Sequence, residues 1–239
     1  MNARFKVHAI TALIVGALGV CAAPIPGLVS TGGSAPGTPD PAWYWSYVPS
    51  PPAGTFVPAY VTDDTSYPFP HWVANSAQSK WISPQQGYGP AYGAYTDQVG
   101  FHYFAIGYYI GPGYDPDTAT FQFMLATDNN LNSIWVNGTQ LTGINAAGYT
   151  ALQGPYTVGP SPGLFQAGWN SMVVVIENEF IAPFDVANNS TWNPVGIRVE
   201  IVSSFIEGGP PSEIPEPAVL YMYGAGLLAI GFLRTKRRT

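Results

Sequence analysis

Charged side chains are scarce in this sequence: Asp, Glu, Lys and Arg make up only 9% of its 239 residues. Soluble globular domains carry roughly 25%. Turn formers and aromatics are abundant instead, with 27 glycines, 24 prolines, 7 tryptophans, 15 tyrosines and 12 phenylalanines. This profile argues against coiled coils, helical bundles and nucleotide-binding α/β enzymes. Because a chain so rich in aromatics can bury a core, the composition predicts an all-β extracytoplasmic domain.

Basic residues are almost absent from the middle of the chain. Between Pro24 and Pro217, only Lys80 and Arg198 stand against all fourteen Asp and Glu residues, a net charge of −12. Proteins that bind nucleic acid neutralise phosphates with many Lys and Arg contacts, and an acidic surface repels the phosphate backbone. Nucleic acid is therefore excluded as a partner.

The chain has one cysteine, Cys21, which lies at the end of a signal-like segment. Arg4 and Lys6 precede an uncharged, mainly apolar run over residues 9–20, and small residues follow, as in a secretory signal peptide. The predicted signal is residues 1–22, exported by the Sec machinery and cleaved by signal peptidase after Ala22. No disulfide is then possible. A retained N-terminal anchor and lipid attachment to Cys21 are the alternatives; the bulky Val20 disfavours the second.

The other end of the chain has three parts in a fixed order. Pro215-Glu216-Pro217 precedes an uncharged run over residues 218–233, which as a helix spans about 24 Å. A basic end follows, containing Arg234, Lys236, Arg237 and Arg238. Such an end orients a membrane span with the C-terminus in the cytoplasm. An ordinary single-pass anchor would also have the last two parts.

With its leading Pro-Glu-Pro motif, this segment, residues 215–239, resembles the PEP-CTERM sorting signal of Gram-negative bacteria. The resemblance implies an exosortase as processing partner and cleavage near the motif. It also implies a transient anchor in the inner membrane, followed by transfer to the cell surface or extracellular matrix.

Between the two ends, hydrophobicity alternates with a period of two, as in strands. Phe101, Tyr103 and Ala105 are predicted to share one face, and Asn137-Gly138 between short apolar runs predicts a hairpin. We expect an antiparallel β-sandwich over residues 56–206. Pro/Gly-rich linkers are predicted at 23–55 and 207–214.

Four phrases in this region resemble a galactose-binding-like jelly roll. They lie at residues 72–84, 126–138, 168–178 and 193–200. The resemblance implies a sandwich similar to a carbohydrate-binding module, without catalytic machinery of its own.

Sugar recognition uses aromatic faces, and aromatic residues are plentiful in the predicted loops. Exposed aromatic patches mark interaction surfaces, and a saccharide is favoured over a protein as the ligand. Trp135 is expected to belong to the core. The candidate ligand-binding residues are Trp72, Trp81, Tyr88, Tyr92, Trp169 and Trp192.

Calcium is the one metal that the resemblance implies, as a structural ion held by oxygen ligands. Asp63 and Asp64 in an early loop would meet Glu200 on the last strand. Asp115 and Asp117 are an alternative ligand pair. Aspartate also caps turns routinely without binding a metal.

Catalytic motifs are missing from the sequence: it contains no HExxH, GxSxG, Walker or Rossmann pattern. Glu177 and Glu179 form the one carboxylate pair that a glycoside hydrolase could use. The sequence thus predicts a non-enzymatic surface or matrix protein that binds carbohydrate or exopolysaccharide. The alternatives are an adhesive protein that binds other proteins and, third, a glycan hydrolase.

Overall fold

The computed structural model describes residues 22–48, 56–94, 96–145, 148–179 and 193–209. Residues 1–21 of the predicted signal and residues 210–239, with the predicted sorting motif, lie outside this part. The described residues form an all-β, antiparallel fold without helices, and so without a helix long and apolar enough to cross a membrane. The strands are β1 (Ala22–Ala23), β2 (Pro39–Ser46), β3 (Val57–Val61), β4 (Ile82–Ser83), β5 (Gly100–Ile110), β6 (Tyr114–Asp128), β7 (Asn130–Val136), β8 (Thr139–Gln140), β9 (Gln153–Val158), β10 (Gly168–Asn178) and β11 (Gly196–Gly208).

The strands form one continuous sheet in the order β8-β7-β10-β5-β2-β3-β4-β11-β6-β9, with β1 added beside β11. Its two halves, β8-β7-β10-β5-β2 and β3-β4-β11-β6-β9, contribute buried side chains to the same core. Phe104, Val174 and Ile134 come from the first half, and Phe123 and Val199 from the second. The sheet therefore folds over on itself as a β-sandwich.

Alternation along the strands decides which side chains enter this core. In β6, Phe121, Phe123 and Leu125 are fully buried, whereas their neighbours Gln122 and Met124 are partly exposed. The same period of two governs β5 and β10, which pair along their whole length from Gly168 opposite Ile110 to Asn178 opposite Gly100. One side of each strand is thus left for the outer surface.

The predicted N-terminal linker is wrong over residues 23–48, which belong to the folded domain. Ile25, Leu28 and Trp43 are buried in the main core, and β2 lies between β5 and β3 in the middle of the sheet. The Gly- and Pro-rich stretch is held by Asp40, whose Oδ2 accepts hydrogen bonds from the backbone N–H groups of Gly32 and Gly33. Turn formers here shape a compact loop and not a spacer.

At the other end, β11 continues to Gly208, beyond the predicted domain end at residue 206. Glu207 and Ile206 pair with Ala22 and Ala23 of β1, and Gly208 pairs with Tyr114 at the start of β6. The first and last described strands therefore close the domain together.

Candidate functional site

The outer face of the first half of the sheet is rich in aromatic side chains. In β5, His102, Phe104, Ile106 and Tyr108 point into the core and are buried. The alternate residues point outward, and the predicted common face of Phe101, Tyr103 and Ala105 is confirmed. This outer face comprises the outward-pointing residues of β2, β5, β7, β8 and β10.

The outer face carries a groove of about 420 Å³. Tyr103 and Val175 lie opposite each other across β5 and β10, and Trp135 pairs with Val173 on the next strand. None of the residues that line the groove carries a charge. They are Phe101, Tyr103, Asn132, Ser133, Trp135, Gly138, Val173 and Val175.

Trp135 is held at the groove by the turn that follows it. Asn137 and Gly138 both have positive φ, 49° and 78°, and they join β7 to β8 with Trp135 opposite Gln140. The hairpin predicted from Asn137-Gly138 is therefore confirmed. The Asn137 side chain donates to Oδ1 of Asn170 at 2.6 Å and accepts from a backbone N–H of β10 at 2.9 Å, which fixes the turn on the neighbouring strand.

A chain of hydrogen bonds gives the groove a polar rim. The indole Nε1 of Trp135 donates to Oγ of Ser133 at 2.9 Å, and that hydroxyl donates to Oδ1 of Asn132 at 3.0 Å. Asn132 is exposed, and its amide nitrogen donates to no other group among the described residues. The groove thus combines an aromatic wall with polar groups at its edge.

Trp135 was expected in the core, and the structure corrects this. Its side chain is half-buried and lines the groove, while the flanking Ile134 and Val136 are buried. Side chains of a strand alternate between its two faces, so a tryptophan between two inward-pointing aliphatic residues must point outward. This is the signal in the sequence that places the indole on the outer face.

A second exposed aromatic pair lies farther along the same face. Trp169 of β10 is 69% exposed and pairs with Tyr109 of β5, which is 49% exposed. Their rings meet edge to face, with centroids 5.6 Å apart. The predicted ligand-binding residue Trp169 is therefore accessible, and its role in binding stays a prediction.

Three of the other predicted aromatic residues are buried, which corrects the expectation that they stack on a ligand. Trp72 and Trp81 stack on each other with ring centroids 4.1 Å apart, and Tyr88 joins them in a second, smaller core. Trp72 Nε1 donates to Oδ2 of Asp128 at 2.6 Å. Trp192 lies outside the described residues.

The predicted calcium ligands do not come together in the part of the chain that the structure describes, where no group of three or more His, Cys, Asp or Glu could hold a metal ion. Asp63 accepts from the backbone N–H of Thr65 at 3.0 Å and from the hydroxyl of Tyr92. Tyr92, a predicted ligand-binding residue, is exposed, and its role in binding stays a prediction. Asp64 accepts from Asn75 at 3.2 Å. These carboxylates stabilise their own loop.

Glu200, the third expected ligand, is engaged on β11. Its Oε2 accepts from Ser79 Oγ at 2.8 Å and lies 3.5 Å from the guanidinium of Arg198. Of the alternative pair, Asp115 Oδ1 accepts from the backbone N–H of Asp117 at 3.1 Å, as in a capped turn. Calcium therefore has no assembled site among the described residues.

Glu177 and Glu179 lie at the end of β10. Glu177 pairs with Phe101 on one side and with Asn130 on the other. Glu179 accepts a hydrogen bond from Asn130 Nδ2 at 2.6 Å. This places acidic groups beside the Phe101 end of the groove.

Sequence reasoning missed two buried acids, Asp97 and Asp128, that accept hydrogen bonds from aromatic residues of the second core. Asp97 accepts from the Tyr88 hydroxyl and, at 2.8 Å, from the backbone N–H of Val195. Burial raises the pKa of Asp97 to about 6. Burial, assisted by the negative charge of Asp97, raises the pKa of Asp128 to about 7 despite its bond from Trp72.

A comparison of this chain with protein-family models and with curated proteins gives no match.

Proposed function

We propose that this chain is a non-enzymatic, exported surface protein whose β-sandwich binds carbohydrate or exopolysaccharide through the groove of the outer face. The observation that carries the proposal is the half-buried indole of Trp135 beside Tyr103 and Phe101, at the surface of an uncharged groove. A sugar ring has an apolar face that stacks on an aromatic side chain and hydroxyls that need polar partners.

The polar rim supports the same proposal. Ligand sites in proteins are mostly apolar and use a few placed polar groups to orient the ligand. Here Trp135 donates a hydrogen bond to Ser133, and Ser133 donates one to Asn132. The exposed amide of Asn132 can therefore donate to a sugar hydroxyl while the indole face packs on the ring.

We extend the proposal to the fold class, a galactose-binding-like jelly roll. A jelly roll consists of two antiparallel sheets packed on each other. In this chain β5 pairs antiparallel with β10 in the first half of the sheet, and β6 pairs antiparallel with β11 in the second half. These two antiparallel layers and the four sequence phrases support the proposal.

Substitution of Trp135 by Ala is expected to weaken carbohydrate binding strongly. Truncation of a central aromatic residue in a binding site costs about 2 kcal/mol or more, which corresponds to a roughly 30-fold higher Kd. The measurement is a screen of neutral and acidic polysaccharides for binding, followed by titration of the best ligand against wild type and variant.

Phe205 on β11 offers the matched control, because it is an exposed aromatic residue in the other half of the sheet. Phe205→Ala should bind as wild type does. Equal affinity of wild type and Trp135→Ala would contradict the proposed site. Binding to a folded protein partner, without competition by any saccharide, would favour the adhesive alternative. Release of reducing ends that stops in a Glu177→Gln/Glu179→Gln variant would favour the hydrolase.

Export and sorting form the second part of the proposal and rest on the sequence. Residues 1–22 resemble a secretory signal, and residues 215–239 resemble a PEP-CTERM signal. The proposed route is Sec export, removal of the signal peptide, a transient anchor in the inner membrane of a Gram-negative bacterium, and exosortase processing to the cell surface or matrix.

A Glu216→Ala variant is expected to remain in the inner membrane, because the exosortase would no longer recognise the motif. Fractionation with intact-mass analysis of the product measures this. Wild type should reach the surface without residues 218–239, and the Lys80→Ala variant, changed far from the motif, should be sorted like wild type. Normal surface display of Glu216→Ala would leave only a general membrane anchor.

A further inference from the structure

The outer face has aromatic side chains at both ends of β5, and the outward positions of β5 between these ends are small. Tyr103 at the groove and Tyr109 beside Trp169 are six residues apart on β5, which corresponds to about 20 Å along an extended strand. The outward positions between these tyrosines are Ala105 and Gly107, and Ser171 of β10 lies opposite Gly107. The exposed Tyr44 of β2 lies opposite Ala105 on the same face. The face therefore forms a trough with a low floor on β5 and β10, aromatic side chains at each end, and Tyr44 along one side.

The trough lies along the direction of the strands. Val173, opposite Ala105, is the β10 neighbour of Trp135, and Trp169 precedes Val173 by four residues, or about 13 Å. A ligand that contacts both aromatic ends must follow β5 and β10. A single sugar ring fills only one end, whereas an extended chain of several sugar units can reach both.

The charges around the groove favour neutral polysaccharide chains over acidic ones. No charged residue lines the groove, and the nearest acidic groups, Glu177 and Glu179, lie at its Phe101 end. The two basic residues of the described part are both engaged elsewhere. Arg198 is buried, and Lys80 donates its Nζ to the backbone carbonyl of Ser34 at 2.7 Å. A polyuronate or sulfated glycan would meet no cation here and would be repelled by the carboxylates.

We infer that the ligand is a neutral, extended polysaccharide chain that runs along β5 and β10 from the groove to the Trp169–Tyr109 pair. This inference rests on the proposed function and adds the length, the direction and the charge of the ligand. Trp135 and Tyr103 hold one part of the chain, Trp169 and Tyr109 hold another, and the small residues of the floor let the backbone of the chain lie close to the sheet.

Gly107→Val tests the path of the chain. A Cβ at this position meets its nearest neighbours, Cζ3 of Trp169 and the backbone oxygen of Asn170, at 3.9 Å, an ordinary contact. Valine also suits a strand, and the exposed Trp169 can move to accommodate it, so the fold should accept it, while its methyl groups would stand in the trough beside Trp169. Trp169→Ala is the second variant, and it removes one end without filling the floor.

The experiment titrates short and long members of neutral oligosaccharide series, a glucan, a mannan and a galactan, into the full-length chain, with a polyuronate as competitor. Affinity is expected to rise with length until the chain spans the trough. Gly107→Val and Trp169→Ala should each remove that gain, with a roughly tenfold higher Kd for the long members. Phe205→Ala should behave as wild type, the polyuronate should not compete, and thermal melting should verify that each variant is folded.

Three results would overturn the inference in different ways. Equal affinity for short and long members, with Trp135→Ala still impaired, would remove the extended trough and leave the proposed function standing. Competition by the polyuronate would remove the charge selection alone. Failure of every saccharide to bind the folded wild-type chain would remove the inference together with the proposed function.

Discussion

An Arg198→Met variant is expected to lose about 3–5 kcal/mol of unfolding free energy. This is the cost of removing one partner of a buried ion pair. Arg198 is 2% exposed, and burial lowers its pKa against the opposing effect of Glu200. Its guanidinium donates to the hydroxyls of Ser79 and Ser76, both at 2.8 Å, and to the carbonyl of Ala74. Methionine fills a similar space but leaves these acceptors without the guanidinium donor and Glu200 without its cation.

Denaturant unfolding of wild type and variant measures this loss. Lys80→Met is the matched control, since Lys80 is the other basic residue of the described part and is only partly buried. Its side chain makes one hydrogen bond, to Ser34, so the loss in unfolding free energy should stay below about 3 kcal/mol, the upper value for a hydrogen bond of a charged group. A loss for Arg198→Met no larger than that of the control would contradict the structural role of the network.

Lowering the pH from about 8 to about 5 is expected to stabilise wild type relative to an Asp97→Asn/Asp128→Asn variant. Burial raises the pKa of these two carboxyls to about 6 and about 7, above the value of roughly 4 in an unfolded chain. The folded state therefore binds more protons, and stability is lost as the pH rises through the two folded pKa values. The relative change should be on the order of a few kcal/mol.

The comparison with the Asn variant isolates these two groups. His102 is buried, and burial lowers its pKa, so it destabilises the folded state as the pH falls below its ordinary value. That contribution is the same in both proteins and cancels in the difference. Thermal unfolding across the pH range measures the effect, with roughly 2–4 °C expected for each kcal/mol. A difference that does not change with pH would contradict the raised pKa values.

Local patterns in the sequence predicted the strands well. Alternation predicted the shared face in β5, and Asn137-Gly138 predicted the hairpin that positions Trp135. These features depend on neighbouring residues only. The groove itself combines residues of β5, β7, β10 and the turn from β7 to β8. No local pattern in the sequence brings these strands together.

Composition was misleading where long-range packing decides burial. The Gly- and Pro-rich segment before residue 48 resembles a linker in sequence, yet Trp43 of β2 is fully buried between β5 and β3. Trp72 and Trp81 lie in a loop with several turn formers, and they stack on each other under that loop. Their burial depends on Asp128 and Arg198, which are far away in the sequence.

Pairing of β1 with the end of β11 has a mechanical consequence. Ala23 lies opposite Ile206, so the chain enters and leaves the domain side by side, next to the turn that joins Ile110 to Tyr114. Phe101 and Asn132 of the groove lie toward the opposite end of their strands. A tether attached beyond Gly209 would fix the domain at this end. The Phe101 end of the groove would then face away from the surface to which the tether is attached.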